Sequence, residues 1–165
     1  MNHILILTLS CFVWLSAIMP AHAQTTQTLD HTEVTLIANV DSITPSEPFT
    51  IKTHIKLEEG WHTYTKDPGD SGIATAITWT LPEGYKAGEI QWPPHKTFNE
   101  AGLTTYGYDG EVTLPVTITP SSKVDESVEL KAKVSMLICK EICIPQVANL
   151  SITLPVRAAV AGDIT

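Results

Sequence analysis

From residue 33 onward, apolar and polar residues alternate with period two in one segment after another. Val34, Leu36, Ala38 and Val40 alternate with Glu33, Thr35 and Asn39. Phe49, Ile51, Ile55 and Leu57 alternate with Thr50, Lys52, His54 and Lys56, and Ile77, Trp79 and Leu81 with Thr78 and Thr80. Val112, Leu114, Val116 and Ile118 share a face. Pro115 stands on the other, which marks an edge or a bulge. Val128, Leu130, Ala132, Val134 and Met136 oppose Glu129, Lys131, Lys133 and Ser135, and Leu150, Ile152 and Leu154 form the last run. This period belongs to half-buried strands, and no segment carries a helical period over ten residues or more. Turn chemistry separates the runs at Pro45-Ser46-Glu47-Pro48, Asp67-Pro68-Gly69-Asp70, Pro82-Glu83-Gly84 and Asp109-Gly110. About seven or eight short strands in roughly 140 residues predict an all-β fold, an immunoglobulin-like antiparallel β-sandwich.

The first residues follow a different rule. Ile4 to Met19 is apolar apart from Thr8, Ser10, Cys11 and Ser16, and Pro20 and Ala21-His22-Ala23 follow. Residues 1–23 read as a signal peptide cleaved after Ala23, leaving 24–165 as one exported domain. Met1-Asn2-His3 carries no Lys or Arg, which keeps an uncleaved signal anchor as the alternative. Thr8 stands where a lipoprotein signal ahead of Cys11 would need Leu. No later stretch approaches the roughly 20 apolar residues that span a bilayer. Export places the domain where disulfides form. The formal charge of −8, with no cluster of Lys or Arg, makes nucleic acid and anionic membrane surfaces poor partners. The tail Arg157 to Thr165 is small and polar enough to fray.

Three cysteines occur, and only Cys139 and Cys143 lie beyond the leader. A fully extended strand would hold them about 13 Å apart, at roughly 3.3 Å per residue. A disulfide needs Cα atoms within about 7 Å. The chain must therefore coil or reverse between them. The flanking alternation favours a hairpin with Lys140-Glu141-Ile142 at its tip, and Pro145 is expected to limit pairing just beyond. The pair is a staple, part of a metal site, or a redox centre. As a staple it closes so short a loop that the chain-entropy gain is only about 2 kcal/mol, against nearly 5 for a loop of about 100 residues. As a metal site, Met136, Cys139 and Cys143 offer soft ligands to Cu(I). No histidine follows His95, however, and Met136 is the only methionine after the leader. His31, His54, His62 and His95 lack the spacing of a zinc site. Thiol–disulfide exchange, by thiolate attack through a mixed disulfide, is the third reading and the foremost. Lys140 favours a thiolate by charge and Glu141 opposes it.

The chain also carries a series of motifs in a fixed order. They are Gly60-Trp61-His62-Thr63-Tyr64, Pro68-Gly69-Asp70-Ser71-Gly72, Ile90-Gln91-Trp92-Pro93-Pro94, Tyr106-Gly107-Tyr108, Leu114-Pro115-Val116 and Cys139-Lys140-Glu141-Ile142-Cys143-Ile144-Pro145. In these, from about Val34 to Leu154, it resembles the N-terminal periplasmic domain of the thiol:disulfide interchange protein DsbD, including copper-tolerance relatives of the ScsB type. The resemblance implies an immunoglobulin-like sandwich in the periplasm whose Cys139–Cys143 disulfide is the redox centre, with no cofactor and no metal. It implies a thioredoxin-like domain or membrane electron-transfer protein as reductant. Oxidised periplasmic proteins would be the acceptors: a disulfide isomerase, a cytochrome-maturation factor or a copper-tolerance thioredoxin-like protein. It further implies a cap loop over the disulfide between Pro94 and Thr105, with Phe98 as the capping aromatic beside Asn99 and Glu100. Phe98 reads equally well as a core aromatic. Trp61, Tyr64, Tyr106 and Tyr108 either line the cysteine pocket or pack between the sheets, with the core favoured for Trp61 and Trp79. Two departures stand out. Some members place five residues between the cysteines rather than three, and full-length members continue into a membrane domain. Ending at Thr165, this chain is expected either to take electrons from a separate protein or to act as a fragment of such a system.

Overall fold

The computed structural model describes residues 23–100, 102–123 and 125–157. The leader assigned to residues 1–23 therefore lies outside the described residues except for Ala23, as does Cys11. Eleven strands make up the described fold: β1 (Gln24–Leu29), β2 (Thr32–Ala38), β3 (Phe49–Leu57), β4 (His62–Gly69), β5 (Ala76–Thr80), β6 (Lys86–Ile90), β7 (Lys96–Glu100), β8 (Leu103–Asp109), β9 (Glu111–Thr119), β10 (Ser127–Cys139) and β11 (Cys143–Pro155). They form two antiparallel sheets packed as a sandwich. One has the order β1-β2-β3-β9-β6, the other β11-β10-β4-β8-β7, with β5 also paired to β10.

The alternation read from the sequence sets the layers. Along β10 the inward residues Leu130, Val134 and Ile138 are fully buried, as is Leu154 on β11. They meet Leu36, Ile51, Ile55, Leu114, Val116 and Ile118 of the facing sheet in one core. Trp61 lies in this core and Trp79 packs against it. Pro115 sits inside the sheet, opposite Lys52 of β3. Its other neighbour, β6, shifts register between Ala87 and Ile90. The irregularity that the missing N–H predicts is therefore a bulge beside an interior strand. The turn expected at Asp67–Asp70 is likewise a break in the ladder: β4 and β8 shift register between Tyr64 and Gly69. The β10–β11 ladder runs on through Leu137↔Pro145. There the expected limit on pairing does not appear, because β11 is an edge strand and can spare a donor.

Candidate functional site

The β10–β11 hairpin is the longest feature of the fold, with two 13-residue strands. Its ladder ends at Cys139↔Cys143, which are disulfide-bonded with Cα atoms 4.1 Å apart. Lys140-Glu141-Ile142 form the tip, where the Lys140 amide donates to the Ile142 carbonyl at 3.0 Å. The reversal required by the spacing is thus a tight hairpin. Its tip is tethered to the β3–β4 turn, where Lys140 Nζ donates to the Glu59 carbonyl at 3.2 Å. Gly60, at φ +83°, leaves room for this side chain, since a Cβ there would come within 2.8 Å of Lys140 Cε.

The two sulfurs live in different surroundings. Cys139 is 3% exposed, whereas Cys143 is exposed on the edge strand. On its other side Cys139 pairs with His62 of β4. Paired residues share a face, so both point away from the core onto the outer face of the sheet. Tyr64, two residues on, shares that face. Its hydroxyl donates to Cys139 Sγ at 3.1 Å, and His62 Nε2 lies 3.3 Å from the same hydroxyl. The Tyr64 ring is backed by Gly72 at φ +103°, where a Cβ would intrude to 2.4 Å. The Phe98 ring stacks on His62, centroids 4.7 Å apart and planes at 22°. A cleft beside the disulfide is lined by His62, Tyr64, Ser71, Leu103, Thr105, Lys140 and Glu141 with both cysteines. The side chains that touch Cys139 therefore supply a hydrogen-bond donor to sulfur, while open solvent faces Cys143.

The Pro94–Thr105 interval expected as a cap loop is mostly the β7–β8 hairpin, which continues the same sheet beyond β4. Phe98 stacks on His62, which pairs with Cys139, and is not among the residues that line the cleft. Asn99 is exposed and its Oδ1 accepts from Thr104 Oγ1 across the hairpin. Glu100 ends β7 opposite Leu103, and Leu103 itself lines the cleft. Tyr106 and Tyr108 alternate with Thr105 and Gly107 and so face the opposite side of the sheet. Tyr108 is in the core, its hydroxyl donating to the Pro93 carbonyl at 2.9 Å, and Tyr106 packs edge-on against His95. Neither lines the cleft. Of the four aromatics weighed for the pocket, Tyr64 is the one in contact with sulfur.

His62 is the neighbour that sequence reasoning passed over. Sought as a metal ligand, it shows no spacing; the useful signal was its place two residues before Tyr64 on a strand. Among the described residues, no group of three or more His, Cys, Asp or Glu side chains gathers as a ligand set.

The family model for the thiol:disulfide interchange protein DsbD, N-terminal, matches residues 30–155. Among solved structures, the N-terminal periplasmic domain of ScsB from Proteus mirabilis superposes with TM-score 0.64 at 28% identity. The match covers 80% of this chain and 51% of that one, so the chain spans about half the length of that relative. The yeast GGA1 GAE domain aligns at TM-score 0.43 and 13% identity, over 78% of this chain and 96% of that one. The search of curated proteins finds no match. A motif order from Gly60 to Pro145, a sandwich with a disulfide at the tip of its longest hairpin, and a family match over most of the chain agree: this protein belongs to the family of the DsbD N-terminal domain.

Proposed function

We propose that the protein is a periplasmic thiol–disulfide oxidoreductase component whose Cys139–Cys143 pair relays two electrons from a donor to oxidised proteins. A thioredoxin-like domain or a membrane electron-transfer protein is the donor, and disulfide-containing periplasmic proteins are the acceptors. Residues 1–23 direct export and are removed after Ala23. The observation that carries the reading is the asymmetry of the two sulfurs. An incoming thiolate reaches exposed Cys143 and finds Cys139 buried. Attack on Cys143 Sγ forms the mixed disulfide and breaks the Cys139–Cys143 bond, and the electron pair leaves on Cys139. The Tyr64 hydroxyl, already donating to that sulfur, stabilises the leaving thiolate. The donor's second thiolate then attacks its own sulfur in the mixed disulfide and releases the reduced pair. In the second half Cys143 attacks the acceptor's disulfide and Cys139 resolves it. Phe98 shields this chemistry by covering His62, which flanks Cys139.

Trapping tests the proposal. A thioredoxin-like partner lacking its resolving cysteine is incubated with each single-cysteine variant, activated as a mixed disulfide with a small aromatic thiol. Cys139→Ser, which keeps Cys143, is expected to yield a covalent complex on a non-reducing gel, and Cys143→Ser to yield little. Capture by neither variant refutes the relay, and equal capture by both refutes the assigned order of attack.

A further inference from the structure

Within the relay just proposed, one buried side chain beside the disulfide has no assigned part. We propose that His62 is a positioning residue for the reaction: its Nε2 proton, acting through the Tyr64 hydroxyl, stabilises and then neutralises Cys139 as the disulfide opens.

The geometry runs in one direction. The Tyr64 hydroxyl has a single proton and donates it to Cys139 Sγ. The contact with His62 Nε2 at 3.3 Å is then a bond in which the imidazole donates and the hydroxyl oxygen accepts. His62 is 5% exposed, and its ring is held between the face of Phe98 and the edge of Tyr64. The relay is therefore fixed in place before any partner arrives.

Several charged groups stand on the elements packed around His62. Asp109 of β8 is the Cα partner of His62 and is ion-paired with Lys96 of β7. Glu100 belongs to the same β7 strand, Glu59 stands in the β3–β4 turn, and Lys66 lies further along β4. Lys140 and Glu141 come from the hairpin tip, with the Lys140 ammonium turned onto the Glu59 carbonyl. Histidine is the side chain whose ordinary charge change falls between about pH 5 and 8. His31 stacks on Trp61 and His95 packs edge-on against Tyr106, neither in contact with the cysteines.

The proton balance is simple. A reductant thiolate attacks Cys143, the S–S bond breaks, and Cys139 becomes a thiolate. The Tyr64 proton passes to Cys139, and the His62 proton replaces it on Tyr64. The reductant's second thiol loses its proton to water and displaces Cys143, which takes one from water. His62 is then reprotonated by solvent. A positive His62 thus assists opening at low pH, and the assistance is lost as pH rises through its titration.

The test uses the full chain with dithiothreitol as reductant. Opening is followed from pH 5 to 8.5, and each rate is divided by the dithiothreitol thiolate concentration. The wild-type normalised rate is expected to fall about tenfold across the histidine range. His62→Asn is expected to be flat, near the wild-type value at high pH, and Tyr64→Phe flat and below that value, because it also loses the donor to Cys139. Tyr64→Phe keeps the ring that packs under Gly72, so it serves if His62→Asn does not fold. A flat wild-type profile, or a variant profile that superimposes on a sloping one, overturns the role of His62 while leaving exchange at Cys143 standing. Failure of dithiothreitol to open the wild-type disulfide at any pH overturns the relay itself.

Discussion

The two ends of β10 present the same outward row of residues to different surroundings. At the open end Glu129, Lys131 and Lys133 are exposed, and Lys131 pairs with Glu129 at 3.1 Å. Toward the tip the row closes over: Ser135 and Leu137 are half-buried, and Cys139 is almost fully buried. The inward row hardly changes, from Val128 at 4% exposure to Ile138 at 0%. The difference comes from what lies alongside. Near its start β10 is flanked by the five residues of β5, whereas at Cys139 it meets β4, with β8 and β7 beyond. The inward row is what any sandwich needs. At the tip, the outward faces of β10 and β4 together bury a sulfur, a hydroxyl and an imidazole. Burial of such groups is unfavourable without hydrogen bonds, and here they bond to one another. This arrangement supports the proposed site at the tip.

Substitutions along this one hairpin sharpen the contrast, with stability read from urea unfolding midpoints. Ile138→Ala, in the inward row, is expected to cost about 2–5 kcal/mol through lost burial and the cavity left behind. Replacing both Cys139 and Cys143 by Ser should cost about 2 kcal/mol, because the closed loop is short, while abolishing thiol exchange. Lys133→Ala, in the exposed part of the outward row, should stay within about 0.5 kcal/mol of wild type. A Lys133→Ala cost rivalling that of Ile138→Ala would break the distinction between the rows. A double Ser variant that unfolds outright would make the pair a staple first.

The legible strands were those with one face in the core and one in water. That is why β2, β3, β5, β9, β10 and the end of β11 follow the alternation. The others fail it for physical reasons. β1 is five Gln and Thr residues before a single Leu. In β4, His62, Thr63, Tyr64 and Thr65 are buried in succession because both faces are covered, so the period vanishes. The hairpin between the cysteines was legible because four residue steps and the reach of a disulfide admit few conformations. The redox reading owed more to the family motifs than to spacing. Tyr106 and Tyr108 show how nearness in sequence misleads on a strand, since one residue's shift turns a side chain to the other face. His62 shows the converse. Its neighbours Phe98 and Cys139 come from strands distant in sequence, and no local pattern announces them.

In the proposed relay the disulfide at this hairpin tip is exchanged rather than kept. Equilibrating the full chain with dithiol–disulfide buffers of graded poise, and quantifying free Cys139 and Cys143 thiols, measures its reduction potential directly. An exchanged bond is expected to lie above about −300 mV, within reach of thioredoxin-like donors. A value below about −300 mV, typical of bonds that hold secreted folds together, would contradict it.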